Sequence, residues 1–193
     1  MAMTTAEKIQ SAARRLLEKE GAEGVSMRRV ATAVGITPMA LYRHYPNRDG
    51  ILNVLADEGF DALAVRLNAL KLRGGYERQL TKVLDAFLDF ALERPRLFEL
   101  MFLAMREGAR QYPEDFRARL SPTANISADV LARGMEEGVF AKDDLWEIVF
   151  ETGALLQGLV MLYLGGRMAL KPAEFRALCH RSFARYMNGI LNR

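Results

Sequence analysis

The chain reads as an all-α protein: an N-terminal three-helix helix-turn-helix module followed by a larger helical body, about nine helices in all. Three observations carry that reading. Apolar residues recur at three- and four-residue intervals almost throughout, and no segment sustains the alternation of a half-buried strand. Half of the 193 residues are hydrophobic and 26% are charged, the balance of a chain that folds around a core. The formal net charge of +3 is unevenly placed. In the first fifty residues Lys8, Arg14, Arg15, Lys19, Arg28, Arg29, Arg43 and Arg48 outnumber Glu7, Glu18, Glu20, Glu23 and Asp49, and the remainder is balanced. A basic module on a neutral body is the electrostatic arrangement of a nucleic-acid binder, although a charge this small also arises by chance.

The first helix is expected to start at Thr5 as its N-cap, to carry Ile9, Ala12, Ala13, Leu16 and Leu17 on one stripe, and to stop at Gly21 or Gly24. Ser26 caps a short second helix with Met27, Val30, Ala31 and Val34 on its apolar face, and Gly35 breaks it. Thr37-Pro38 opens the third: a hydroxyl at the N-cap, then proline at the first helical position, where its missing N–H costs nothing. With Leu41 and Tyr45 inward, Thr37, Pro38, Met39, Tyr42 and Arg43 face away. Pro46-Asn47 ends that helix and caps a long fourth one through Ile51, Leu52, Leu55, Phe60, Leu63 and Leu67. After Gly74-Gly75, helices are expected at about 77–92, 96–110 and 114–137, with breaks at Pro95, Pro113 and Gly138. Asp143 is the expected cap of an apolar helix to about Leu164, and Pro172 opens a last helix to about Leu191.

Composition narrows the chemistry. A single cysteine, Cys179, allows no internal disulfide, and His44 and His180 lie too far apart in sequence to suggest a zinc site. No cofactor or metal is expected. The sequence has no Gly-x-Ser-x-Gly, no phosphate-binding glycine loop and no His-Glu-x-x-His, so nothing points to an enzyme. The N-terminal residues Met1–Lys8 do not read as a signal peptide. The longest apolar stretch, 153–166, falls short of the ~20 residues of a membrane span. A cytoplasmic protein without a membrane partner is expected.

The outward residues of the third helix are unusual for a solvated surface and suited to reading DNA. The candidate DNA-binding residues are Ser26, Arg28, Arg29, Thr37, Pro38, Met39, Tyr42, Arg43, His44 and Arg48. Arginine is the commonest reader of guanine edges, Tyr42 and His44 offer polar tips to phosphates, and Arg48 stands at the N-terminus of the fourth helix, whose free N–H groups suit an anion. The segments TAEKIQSAARRLLEKEG (5–21) and VSMRRVATAVGITPMALYRHYPNRDGIL (25–52) together resemble the DNA-binding domain of the tetracycline-repressor (TetR) family. Two departures are Gly24-Val25, near which the family often has an aromatic, and Gly50, a poor helix former at the start of the fourth helix.

The resemblance implies a DNA-binding domain over 1–50 and a ligand-binding and dimerisation domain over 51–193. It extends more weakly to PRLFELMF (95–102) and LLQGLVMLYLGGR (155–167). The helix at 146–164 is apolar nearly all round and carries the small residues Gly153, Ala154 and Gly158, so it needs cover on several sides. Gly153, Gly158 and Leu162, with Phe175, Phe183, Tyr186 and Met187 of the last helix, are the candidate dimer contacts of an intersubunit four-helix bundle. Phe98, Met101, Phe102 and Met105 are spaced i, i+3, i+4, i+7; with Phe60, Phe87, Phe90, Phe116, Trp146 and Phe150 they either line a pocket for a lipophilic effector or form core. Arg106, Glu107 and Arg110 either meet a polar ligand group or form a solvated face. The expected function is a repressor that binds double-stranded operator DNA of palindromic sequence as a homodimer and is released by a small, lipophilic effector. The alternatives are a transcriptional activator or a helical interaction module.

Overall fold

The computed structural model describes residues 3–106 and 108–192. In chain order its helices are α1 (Thr5–Glu20), a short 3-10 turn (Ala22–Gly24), α2 (Met27–Val34), α3 (Pro38–Tyr42), α4 (Arg48–Asn68), α5 (Tyr76–Glu93), α6 (Pro95–Leu103), α7 (Glu114–Arg117), α8 (Pro122–Glu136), α9 (Leu145–Leu164) and α10 (Pro172–Gly189). Among the described residues there is no strand, only an isolated antiparallel bridge between Phe140 and Leu191. The fold is all-α, as expected, with ten α-helices where nine are read from the sequence.

The differences have local causes. Thr4, not Thr5, caps α1, because only Thr4 has a glutamate three residues on: the Glu7 N–H donates to Thr4 Oγ1 (3.3 Å) and the Thr4 N–H donates to Glu7 Oε2 (2.7 Å). Asp144, not Asp143, caps α9, its Oδ1 accepting the N–H groups of Trp146 (2.9 Å) and Glu147 (3.2 Å). The helix expected over 114–137 is two. The chain turns at Arg119, whose φ is 59°, and Pro122 restarts it as α8. The helix expected to reach Arg110 ends at Leu103.

The chain divides into two units. The first runs to Asp61 and takes in Arg94–Ala109; the second comprises Ala62–Glu93 and the chain from Arg110 onward. The core of the first is built from Ile9, Ala13 and Leu17 of α1, Val30 of α2, Leu41 of α3, Ile51 and Leu55 of α4, and Phe98 of α6. Gly59 sets how closely α4 and α6 approach, since a Cβ there would lie 2.6 Å from Met101 Sδ. The second unit buries Leu63, Leu84, Leu88, Leu131, Phe140 and Phe175. Cys179 is buried among them, and that burial pushes its thiol up to about 11, so it stays protonated.

Candidate nucleic-acid interface

Four local devices aim α3. Ser26 Oγ accepts the Arg29 N–H (3.3 Å) and starts α2. Gly35, with φ of 78°, closes α2 in the left-handed conformation that a side chain resists, and its N–H donates to Ala31 O and Thr32 O. Thr37 Oγ1 then accepts the Ala40 N–H (3.2 Å), so α3 begins at Pro38, three residues past Gly35. Behind α3, Leu41 and Tyr45 are buried, and Gln10 Nε2 of α1 donates to Tyr45 Oη (3.1 Å). Asn47 Oδ1 accepts the Gly50 N–H (2.8 Å) and starts α4.

This leaves Thr37, Pro38, Met39, Tyr42, Arg43 and His44 exposed, with Met39 69% and Tyr42 49% accessible. Removing such apolar surface from water is favourable, so this face of α3 is suited to covering by a partner surface. The arginines separate into two kinds. Arg28 and Arg43 are exposed, and neither guanidinium has a partner among the described residues. Arg29 instead forms a fork with Glu20 (Nη1 to Oε2 2.6 Å, Nη2 to Oε1 2.7 Å) and also donates to Gly24 O (2.9 Å). The Arg29 hydrogen bonds hold the Glu20 carboxyl below its ordinary range. Arg48 donates to Val25 O (2.8 Å) and Ala22 O (2.7 Å), tying the start of α4 to the 3-10 turn. The sequence marks all four as cations near the groove; the Glu20 that clamps Arg29 lies nine residues away and the carbonyls that hold Arg48 lie 23 and 26 residues away, so neither engagement leaves a local signal.

The candidate ligand residues do not form a single stripe. In the first unit Phe98 and Met101 are buried core, Phe102 packs on Phe98 (4.6 Å between ring centroids) and Phe60 meets Phe102 edge-on (5.3 Å). Met105 is fully exposed, because α6 has ended before it and the helical spacing no longer applies. In the second unit Phe116 and Phe150 cluster with Tyr112 (Tyr112–Phe150 4.4 Å), Trp146 lies beside Arg119, and Phe90 is buried next to Arg66. Tyr112 was not singled out from the sequence. Arg106 proves neither solvated nor waiting for a ligand. Only 6% of its side chain is exposed; it pairs with Asp57 (3.0 Å), donates to Asn53 O (3.3 Å) and lies over the Phe60 ring. Arg110 donates to Leu120 O, and Glu107 lies outside the described residues.

Of the candidate dimer residues, Gly153, Gly158 and Leu162 stand on the exposed side of α9, and a Cβ on either glycine would meet nothing within 4 Å. Tyr186 is half-buried, its hydroxyl donating to Glu151 near the start of α9 (2.7 Å). Phe175, Phe183 and Met187 differ from the expectation: they are buried within their own chain, on the face α10 turns inward. The apolar helix is also longer than the 153–166 stretch. At 20 residues α9 has the length and composition to cross a membrane, and 28% of that window is buried inside the chain.

A helix-turn-helix with an outward, partner-seeking third helix defines a class, the helix-turn-helix transcription regulators. Residues 9–55 match the bacterial regulatory proteins of the tetR family, and residues 80–186, more than half of the chain, match the tetracyclin repressor-like C-terminal domain. The chain belongs to the TetR family of transcriptional regulators. Among curated relatives, it is 28% identical over 86 residues to the nucleoid occlusion factor SlmA of Glaesserella parasuis, covering 45% of this chain and 43% of that one. It is 40% identical over 53 residues to the HTH-type transcriptional repressor DrrR1 of Streptomyces coeruleorubidus, covering 28% and 20%. The chain thus spans less than half the length of these relatives. Among solved structures, the regulator FadR of Bacillus subtilis, in complex with stearoyl-CoA, superposes with a TM-score of 0.71 at 15% identity over 95% of this chain and 98% of that one, a likeness of fold.

Proposed function

We propose that the protein is a repressor that binds a palindromic operator as a homodimer, one α3 per half-site, and is released by a small lipophilic effector. The observation that carries the DNA reading is the exposed set on α3, Thr37, Pro38, Met39 and Tyr42, flanked by the guanidiniums of Arg28 and Arg43, which have no partner among the described residues. Arg28 and Arg43 reach bases or phosphates, His44 and Tyr42 reach phosphates, and Ser26 and Thr37 add hydroxyls at the two helix starts. Arg29 and Arg48 hold the module's shape. Residues 1–50 then act as the DNA-binding domain and 51–193 as the ligand-binding and dimerisation domain. The exposed apolar side of α9 supports dimerisation: Gly153, Gly158 and Leu162 fit the face of a second copy in the cytoplasm. The effector reading is supported by the aromatic residues of both units and by the fold shared with FadR, whose structure holds stearoyl-CoA. Release requires that the effector bind the DNA-incompetent state about 10⁴-fold more tightly for a nearly complete switch.

The test is a gel shift with the DNA flanking the protein's own gene, using the wild type, Arg28→Ala and Tyr42→Ala. A sequence-specific complex weakened by both substitutions is expected. No complex beyond that formed with unrelated DNA would overturn the proposal.

A further inference from the structure

We infer that the homodimer is set in register by charge: Arg181 and Arg185 of one copy face Glu147 and Glu151 of the other. The inference rests on the homodimer reading above and names the side chains that choose the partner. Helices α9 and α10 form an antiparallel pair. Tyr163 stacks on Phe175 near one end (4.0 Å between centroids), and Tyr186 reaches Glu151 near the other. Around α10 the side chains divide into three faces. Phe175, Cys179, Phe183 and Met187 point inward. Arg176 and His180 pair with Asp89 and Asp85 of α5. The remaining face, Ala177, Arg181, Ala184, Arg185 and Asn188, is exposed, and neither Arg181 nor Arg185 has a partner among the described residues. On α9 the exposed side carries Glu147 and Glu151 at one end of a stripe continued by Ala154, Gly158 and Leu162. The Glu147 carboxylate has no partner among the described residues.

Each of these pairs puts like charges four residues apart on one helix, where they repel. An opposite pair from another molecule relieves both. A two-fold interface uses the same patch on both subunits, so it must be self-complementary, and a patch of one sign would repel its own copy. These neighbouring helices carry both signs, with small residues between them that let backbones approach. A nucleic acid would suit the arginines alone; it would not suit the adjoining acids and apolar stripe. The occupant that fits all three is a second copy of this chain.

Sedimentation velocity on the full chain tests this at low salt. The wild type is expected to be a dimer. Arg181→Glu/Arg185→Glu and Glu147→Lys/Glu151→Lys are each expected to weaken it about a hundredfold or more, since like charges then face each other. Their equimolar mixture is expected to form a mixed dimer, and 1 M salt, with a Debye length of about 3 Å, to restore each variant toward the dimer. Circular dichroism checks that the variants are folded. Because Glu151 also accepts Tyr186, the single Glu147→Lys, which loses no contact within the chain, serves if the double variant unfolds. Folded variants as dimeric as the wild type would overturn the inference and leave the homodimer standing. A monomeric wild type would overturn both.

Discussion

Arg28 and Arg29 are adjacent, yet the Arg28 guanidinium has no partner among the described residues and Arg29 is clamped by Glu20 and Gly24 O. Residue type and helix register identify Met39, Tyr42 and Arg43 as outward and place Arg28 and Arg29 alike near the start of α2. They cannot show that Arg29 and Arg48 are engaged, because those partners come from other elements. The expected outcome is a separation of effects. Arg28→Ala and Arg43→Ala each lower the slope of log K against log salt by about 1 if a phosphate contact is lost, with little change in melting temperature. Arg29→Ala and Arg48→Ala lower the melting temperature and leave the slope nearly unchanged. Carboxylates supply a pH dependence. Glu20 is held below the ordinary range by hydrogen bonds from Arg29, Glu7 by the Thr4 backbone and hydroxyl, and Asp144 by Arg117 and the N–H groups it caps. A carboxyl depressed in the folded state contributes stability that is present above its unfolded value and lost as pH falls through the folded one. The urea midpoint should therefore be flat above about pH 5 and fall below it, less steeply in Glu20→Gln. An unchanged profile in Glu20→Gln would count against the clamp.

At the scale of the element, capping chemistry made most of the boundaries readable. Ser26, Gly35, Thr37-Pro38 and Asn47 act as the sequence predicts. Where several candidates were adjacent, the choice depended on neighbours: Thr4 over Thr5 through Glu7, and Asp144 over Asp143 through the N–H groups in reach. The early end of α6 was not legible, because the chain beyond it is drawn back by Arg106 onto Asp57, 49 residues away. Two substitutions test the packing. Gly35→Ala should cost about 1–2 kcal/mol by forcing a side chain into the left-handed region. Gly59→Ala should cost about 1–3 kcal/mol through overpacking against Met101. In the Met101→Ala background the Gly59→Ala cost should shrink, which a double-mutant cycle in chemical denaturation reads directly.

For the whole molecule, hydrophobic periodicity establishes that a helix is buried and not by what. That is why α10 was expected to offer Phe175, Phe183 and Met187 to a partner when they close its own core, and why α9, apolar nearly all round, did not reveal which side stays open. The fold class and the face of α3 were legible because local rules determine both. The aromatic clusters were not, since they join residues of distant segments. The low net charge is consistent with the proposed dimer, in which affinity for DNA would come from two copies of a small cationic surface. Operator binding measured by fluorescence anisotropy across a salt series, for the wild type and for Arg28→Ala/Arg43→Ala, decides whether α3 and its flanking arginines read DNA. Specific, salt-sensitive binding by two chains per operator is expected, with the double variant weaker and its salt slope shallower. Equal binding by the two proteins, or no preference for operator over unrelated DNA, would contradict the proposed function.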